Sequence, residues 1–471
     1  MRFSTASTAE RLLPGPLATR LRPLLERVDS LLFAADERGH AGRSSLVAFV
    51  IRIASAAIAL VSQVLMARWM GGFDYGVFVL VWTVMVMVGD ISCLGFQTSI
   101  IRFIPEYREK GQSGELRGVM QAARLFVLLT SSLVAVAALA GMWFFSSAIE
   151  SYYLLPFYLG LASLPVIALS DVLEGVARAN GWSVKALAPI YILRPLLILA
   201  LMAAALLAGF PPSAQVAVVC AIAATFLSTL YQIASIVPPA MREVKGTKSS
   251  YRLREWIGVS LPIFLVDGFF YLHTNADILM IGWFMEPDDV AVYFAVLKLL
   301  ALVHFVYFAV KAGVAQRYAQ YAHGGREDEL AAFARETVAW TFWPSLALAA
   351  LMLLLGKPML ALFGEGFAAG YPLLFPLMAG VVARAFVGPA ESLLTMSGHQ
   401  NACARVFAAT LALNLALNLT LIPLWGLWGA AIATATAMML EALLLGLAVH
   451  RRLGIIMVVP FGSTRNKEAL P

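Results

Sequence analysis

The chain has little charge for its length. Only 13% of its 471 residues are charged, whereas 61% are hydrophobic, and a soluble domain is typically about 25% charged. A soluble enzyme or binding domain with a polar surface is therefore excluded. The mean hydropathy of +0.81 indicates that most of the chain lies in lipid.

Cysteine and histidine are also scarce. Cys93, Cys220 and Cys403 fall in or beside apolar segments, without the spacing of a zinc site or a disulfide framework. The six histidines are scattered along the chain. The sequence therefore predicts packing cysteines, no metal site, no catalytic residues and no enzymatic activity.

Long apolar runs dominate the rest of the chain. A bilayer core needs roughly 20 apolar residues per helix, and unpaired backbone groups are too costly there for other structures of that length. We predict an all-α integral membrane fold with about 12 transmembrane helices and no strands. The predicted spans are 44–67, 77–100, 119–145, 152–176, 186–209, 215–239, 256–283, 290–311, 337–356, 370–394, 406–424 and 429–450.

Lys and Arg are distributed unequally between the two sides of these spans. One side carries 27 of the 34, the other side only Arg68 and Lys357, and five lie within spans. Positive charge favours the cytoplasmic side, so both termini are expected in the cytoplasm. No single basic face is present, and no nucleic-acid partner is expected.

The spans divide the chain into five parts. Residues 1–43 form a cytoplasmic N-terminal extension, 44–239 and 256–450 two six-helix bundles, 240–255 a cytoplasmic linker and 451–471 a cytoplasmic tail. Leucines at helical spacing among arginines in 12–34 are typical of an interfacial amphipathic helix. A disordered tail is the alternative.

An internal repeat relates the two halves at an offset of about 215 residues. The segment Arg68–Phe78 after the first span resembles Gly282–Tyr293 after the seventh, and Glu174 precedes Gly181 by seven residues as Glu391 precedes Gly398. Two similar halves in the same orientation predict bundles related by a pseudo-two-fold axis along the membrane normal. The cleft between such bundles suits alternating access.

Several short motifs in this order resemble a known superfamily. They are Ala67-Arg68-Trp69-Met70-Gly71 with Asp74-Tyr75-Gly76 and Phe78, Asp90-Ile91-Ser92-Cys93-Leu94-Gly95 with Arg102, and Asp277-Ile278-Leu279-Met280-Ile281-Gly282 with Tyr293 and Lys298. From about 44 to 450 the chain looks like the multidrug, oligosaccharidyl-lipid and polysaccharide exporters, in the flippase branch for O-antigen, capsule and exopolysaccharide. Ala291 departs from the glycine that the family usually has before the aromatic residue.

This resemblance implies a function and its partners. The family moves polyprenyl-pyrophosphate-linked oligosaccharide across the bacterial inner membrane, for cell-surface polysaccharides such as lipopolysaccharide. The expected partners are this lipid-linked substrate, membrane lipids and, as a candidate, the polysaccharide polymerase machinery. No cofactor is expected apart from a coupling ion, H⁺ or Na⁺.

Basic residues within the spans are the candidates for binding the substrate phosphates. A charge at mid-membrane costs roughly 2.5–3.5 kcal/mol and must face a cavity or a partner. The candidates are Arg52, Lys298, Arg194 and Arg384. The repeat offset makes Asp267 the counterpart of Arg52. Asp267 is a gating or coupling candidate, as the partner that substrate displaces or as a proton carrier, and a permanent salt bridge between the bundles is the alternative for this pair.

Acidic residues and one histidine are the candidates for gating or coupling. His273 and Asp277 lie four residues apart on one helical face, as a proton relay, a cation site or an interhelical hydrogen bond requires. Asp90, Asp171, Glu174 and Glu391 lie near the cytoplasmic ends of their spans. They either form gate contacts with basic loops or have a solvated topological role.

Three other functions make different demands on the sequence. A cation-coupled drug or metabolite exporter of the same fold requires an acidic, aromatic cavity. A membrane glycosyltransferase or ligase requires a sizeable outer loop, which the sequence lacks. A scaffold that transports nothing requires every charge within the spans to be paired.

Overall fold

The computed structural model describes the backbone of residues 37–457. It describes the side chains of Ile51 and of 54–457, except at positions 148, 266, 267, 269, 270, 273, 312, 316 and 323. The predicted amphipathic segment 12–34 lies outside the described residues. We call the end of the molecule that carries 101–118 and 240–255 the basic end, and the end that carries 210–214 and 284–289 the short-loop end.

The first half of the described chain is built from helices joined by short turns. They are α1 (Glu37–Ser92), α2 (Phe96–Glu109), α3 (Ser113–Phe144), α4 (Ser151–Leu161), α5 (Leu164–Ala179), α6 (Ser183–Ala188), α7 (Arg194–Leu207) and α8 (Ala214–Arg242). A π-helical turn, Pro189–Leu193, joins α6 to α7.

The second half has the same character. Its helices are α9 (Leu253–Phe284), α10 (Pro287–His323), α11 (Glu327–Ala361), α12 (Leu374–Phe386), α13 (Ala390–Met396), α14 (Gln400–Trp425) and α15 (Leu427–Leu453). A 3₁₀ segment, Phe367–Leu373, precedes α12. The described residues 37–457 contain no strand.

These helices account for about twelve membrane spans, as predicted. Nine in the described part are long and apolar enough to cross a membrane, and ten if α4 and α5, bent by 50°, count as one. The candidate Ala54–Ser92 has 39 residues, about twice one span, and its backbone is non-helical at Gly71. Dividing α1 there and adding α9 gives twelve.

The chain reverses at Gly71. Its φ of 76° lies in the left-handed region that favours glycine. The hydroxyl of Tyr75 donates to Oε1 of Gln63 at 2.7 Å, which joins the two arms of the turn. Gly71 therefore separates the first span from the second.

Three hydrophobic cores organise the two bundles. The shared core lies at the short-loop end and combines residues of both halves, among them Tyr75, Tyr293 and Phe367. The first basic-end core belongs to the first bundle and the start of α9, around Tyr107 and Trp256. The second basic-end core lies within α10–α15 and adjoining residues. The bundles are thus packed together at one end and have separate cores at the other.

The repeat is visible in how corresponding helices end. Gly181 after α5 and Gly398 after α13 have φ of 71° and 82°. In both caps the next amide, Trp182 or His399, donates to a carbonyl five residues earlier. Matching left-handed glycine caps at the basic end support the pseudo-two-fold relation.

Candidate functional site

A cation without an acidic partner lies where the two bundles meet. Among the described residues, Lys298 on α10 has no hydrogen bond or ion pair, and its Nζ lies 4.1 Å from the centroid of the Phe294 ring. Phe294 in turn packs on Tyr75 of the first bundle, with centroids 6.3 Å apart. Lys298 follows Phe294 by one helical turn toward the basic end, so it borders the shared core from the side where the bundles separate.

The shared core is closed by very close backbone approaches. A Cβ at Gly76 would lie 1.8 Å from the carbonyl oxygen of Pro287, and one at Gly72 would lie 2.1 Å from Oδ1 of Asp288. Both glycines belong to the first turn of the repeat, and Pro287 and Asp288 belong to the second. The two repeated turns therefore form the closure between the bundles.

Arg68 adds a polar link at the same end. Its Nε donates to the carbonyl of Leu362 at 2.5 Å and its Nη2 to that of Ala361 at 3.4 Å. These carbonyls lie at the C-terminal end of α11, where backbone oxygens lack helical partners. Arg68 thus ties the first bundle to the second.

Asp277 lies in a buried cluster of oxygen-bearing side chains from four helices. Nδ2 of Asn418 donates to its Oδ1 at 2.8 Å, the hydroxyl of Tyr293 donates to its Oδ2 at 3.1 Å, and the hydroxyl of Thr434 also donates to Oδ2. Nδ2 of Asn418 reaches Oδ1 of Asn414 at 3.1 Å. Oδ1 of Asn418 is buried without a hydrogen-bond partner.

This cluster has the chemistry of a site for a small hard cation. It offers carboxylate, amide and hydroxyl oxygens, and none of the described partners of Asp277 is positively charged. Hard cations prefer such oxygen ligands. Among the described residues, no group of three or more His, Cys, Asp or Glu forms a metal site, so any cation here would be bound mainly by neutral oxygens.

Sequence reasoning singled out Asp277 and missed its partners on α14 and α15. Asn414 and Asn418 are four residues apart in an apolar span and share one helical face. That spacing is the feature of the sequence that could have identified the two asparagines as partners. Thr434 gave none, since a lone threonine in a membrane helix commonly bonds its own backbone.

Arg384 and Glu391 are brought together inside the second bundle. Nη2 of Arg384 lies 3.2 Å from Oε2 of Glu391 and 3.1 Å from Oε1 of Glu441, and its guanidinium lies 4.8 Å from the centroid of the Tyr307 ring. Lys311 forms an ion pair with the other oxygen of Glu391. The network therefore contains two cations and two carboxylates, whose charges cancel.

Arg194 lies in a corresponding polar cluster of the first bundle. It is 6% exposed, and its Nη2 donates to the hydroxyl of Ser170 at 2.8 Å. Its electrostatic neighbours include Asp171, Asp90 and Glu174. Three acidic candidates from the sequence thus surround this one arginine.

Helix α9 connects the clusters of the two bundles. Toward the basic end, Nε1 of Trp256 donates to the hydroxyl of Tyr107 at 2.7 Å, and Ser260 and Ser99 share a hydrogen bond of 2.6 Å. In its middle Tyr271 contacts Asp90, and nearer the short-loop end it carries Asp277. The side chains of Arg52, Asp267 and His273 lie outside the described residues, so their predicted roles stay predictions.

The chain matches two family models. "Polysaccharide biosynthesis protein" matches residues 41–315, more than half of the chain, and "MatE" matches residues 262–420. No curated protein sequence gives a significant match.

Solved structures of membrane transporters share the fold. An inward-facing conformation of a multidrug resistance MATE family transporter of the MOP superfamily has a TM-score of 0.70 at 14% identity, covering 86% of this chain and 98% of that chain. Lipid II flippase MurJ, in an inward closed conformation, has a TM-score of 0.64 at 13% identity, covering 86% and 87%.

A third structure is a MOP superfamily transporter from Pyrococcus furiosus. That transporter has a binding pocket of reverse polarity, which suggests a different function for it, and its structure has a TM-score of 0.62 at 15% identity, covering 90% of this chain and 97% of that chain. The match over more than half of the chain shows that it belongs to the polysaccharide biosynthesis protein family, and these structures show that it has the fold of MATE family and MOP superfamily transporters.

Proposed function

We propose that the protein is a flippase that moves polyprenyl-pyrophosphate-linked oligosaccharide across the bacterial inner membrane. The observation that carries this is Lys298, a cation at the junction of the bundles with no ion pair among the described residues. A phosphate group is a natural partner for such a cation. Arg194 and Arg384, by contrast, already have protein partners.

The proposed orientation places the basic end in the cytoplasm, as the distribution of Lys and Arg favours. The shared core then closes the outer side, and a substrate enters between the separate cores on the inner side. Rocking of the bundles would break the shared core and expose Lys298 to the outer side. The polymerase that would extend the oligosaccharide there is a proposed partner.

The Asp277 cluster is proposed to bind the coupling ion, Na⁺ or H⁺. Its carboxylate and the unpartnered Oδ1 of Asn418 are buried between α9, α10, α14 and α15. A cation bound there would neutralise Asp277 and tighten the packing of α9 on the second bundle. This links occupancy of the site to the helix that also packs on the first bundle.

The flippase proposal is tested by changing Lys298 in a host that lacks its own flippase. Lys298→Gln is expected to lower surface polysaccharide by roughly tenfold, the effect of losing one charge-assisted hydrogen bond to phosphate, and lipid-linked precursor should accumulate inside. Lys298→Arg keeps the charge and should retain most export. The matched control is Lys357→Gln, which removes an exposed lysine at the short-loop end. Wild-type export by Lys298→Gln, at equal membrane levels, would refute the role of Lys298.

The coupling site is tested on purified protein. The melting temperature of wild type is expected to rise when choline is replaced by Na⁺ at constant ionic strength, and Asp277→Asn should abolish that rise. A response to pH in place of Na⁺, again lost in Asp277→Asn, would identify H⁺ as the ion. Equal responses of wild type and Asp277→Asn would rule the cluster out.

The drug exporter of the same fold is the alternative from the sequence. It predicts that Lys298→Gln leaves surface polysaccharide unchanged, while overexpression of wild type raises resistance to organic cations. The same strains can be measured for both properties, so the two functions are separated in one experiment.

A further inference from the structure

A groove lies on the outside of the first bundle near the basic end. Helices α3 and α8 both pack on α5, and the groove runs between them. It is lined by Met120, Arg124, Leu173, Val176, Val237, Ala240 and Met241. Every lining side chain except Arg124 is apolar.

Arg124 has no carboxylate partner among the described residues. Its Nε donates to the carbonyl of Met120 at 2.8 Å, and its Nη2 lies 3.8 Å from Sδ of Met241. A guanidinium has five N–H donors, so most of its hydrogen-bonding capacity stays free. The bond to Met120, one turn closer to the basic end, directs the side chain toward the membrane surface.

The surroundings of the groove mouth are positive. Arg242, Lys245 and Lys248 are exposed just after Met241. The one acidic residue in this stretch, Glu243, accepts two hydrogen bonds of 2.8 Å from Arg108, which lower the pKa of its carboxyl. Glu243 therefore remains an anion committed to Arg108 and leaves the charge of Arg124 uncompensated.

The face of α3 beside the groove is exposed to lipid. Leu125 and Leu129, on the same helix, are 61% and 63% exposed. A molecule that reaches Arg124 therefore comes from the bilayer, with its acyl chains along this exposed face of α3 and its headgroup at the basic end. The planar fork of an arginine suits a phosphate diester.

We propose that Arg124 binds the phosphate of an anionic glycerophospholipid, such as phosphatidylglycerol, between α3, α5 and α8. Basic pockets between membrane helices at the cytoplasmic surface bind such headgroups. The bound lipid bridges α3 and α8 and stabilises the first bundle. This site lies outside the cleft between the bundles and does not depend on the transported substrate.

The test compares two arginine variants with wild type, all as purified protein. Arg124→Gln is expected to retain about fivefold less phosphatidylglycerol than wild type in native mass spectrometry, the effect of about one cationic contact near a lipid surface. Arg102→Gln is the matched control, because Arg102 is 66% exposed at the same end and is paired with Glu106 at 3.5 Å. It should retain the lipid as wild type does.

A second measurement distinguishes a lipid phosphate from free phosphate as the ligand. It also distinguishes a loss of lipid binding from a loss of folding. Vesicles containing phosphatidylglycerol should raise the melting temperature of wild type and of Arg102→Gln but not of Arg124→Gln, whereas phosphatidylethanolamine vesicles and inorganic phosphate should leave all three unchanged. An equal response of Arg124→Gln to phosphatidylglycerol, or an equal loss in both variants, would overturn the proposal. A wild-type response to inorganic phosphate would overturn the lipid source.

Discussion

At the scale of single residues, some membrane-embedded charges are held by charged partners that the chain itself supplies, in contrast to Lys298. Arg384 is the clearest case, since Glu391, Glu441 and the ring of Tyr307 surround it. Removing one partner of a buried ion pair leaves the other charge without compensation, and this costs about 3–5 kcal/mol. Asp277 differs, because the described residues that contact it are neutral.

Arg384→Leu is therefore expected to destabilise the second bundle severely. The reason is Glu441, which is fully buried and would lose its 3.1 Å contact with the guanidinium. Thermal unfolding in detergent should show a large drop for Arg384→Leu and a partial recovery for Arg384→Leu/Glu441→Leu, in which Lys311 still pairs with Glu391.

The control for that experiment is Arg405→Leu. Arg405 is exposed and bonds the carbonyl of Asn401, one turn away on its own helix, at 3.2 Å. Its removal should leave the melting temperature nearly unchanged. A drop in melting temperature as large as that of Arg384→Leu would mean that the buried network contributes no more to stability than an exposed arginine does.

At the scale of elements, α9 depends on a close contact with the turn between α1 and α2. Gly95 has φ of 81°, and a Cβ there would lie 2.2 Å from the carbonyl oxygen of Ser260 and 2.8 Å from the amide nitrogen of Phe264. Any side chain at position 95 would push α9 away from the first bundle.

Gly95→Ala and Gly181→Ala separate backbone strain from this contact. Both glycines have a positive φ, which costs a non-glycine residue about 1–2 kcal/mol, but a Cβ at Gly181 meets nothing within 4 Å. Gly95→Ala should therefore lower the melting temperature in detergent by clearly more than Gly181→Ala. Equal shifts would show that the contact between α9 and the turn contributes nothing to stability.

At the scale of the whole molecule, transport by rocking requires the shared core to open. Asp288 Cβ lies 3.9 Å from the position of a Cβ at Gly72, within the range of about 3.5–4.5 Å that a disulfide allows. The variant Gly72→Cys/Asp288→Cys is expected to form a cross-link between the bundles. The cross-link should be made after Cys93, Cys220 and Cys403 are replaced by alanine.

If the protein is the proposed flippase, oxidation of this double variant should stop export of surface polysaccharide, and reduction should restore it. The controls are Asp288→Cys and Gly72→Cys/Asp288→Ala, which each have one cysteine and avoid the contact of a Cβ at position 72 with the Asp288 carboxylate. Both should export under both conditions. Undiminished export by fully cross-linked protein would contradict a mechanism in which the two turns part.

The fold could be predicted from the sequence because its causes are local. Apolar runs of about 20 residues must be helical in lipid, and the repeat at an offset of about 215 residues required two similar bundles. The left-handed caps at Gly181 and Gly398 follow from the same repeat. The order of the motifs was enough to indicate the family.

The candidate site could be predicted only in part. Sequence alone named the ionisable residues Lys298, Asp277, Arg194 and Arg384, since a charge in an apolar run stands out by its cost. It could not show that Arg384 is paired and Lys298 is not, because their partners lie on other helices. It also missed Asn414, Asn418 and Thr434, because transferring a neutral side chain into lipid costs much less free energy than transferring a charge.

The sequence by itself determined the spans, the repeat and the list of charges to be accommodated, since each depends on neighbouring residues or on transfer into lipid. The tertiary structure decided which bundle ends touch, which cations remain free and where a buried carboxylate meets amides and hydroxyls. Those features depend on distances between helices far apart in the chain, such as the 141 residues that separate Asn418 from Asp277. Packing brings such groups together through interactions that no local sequence pattern records.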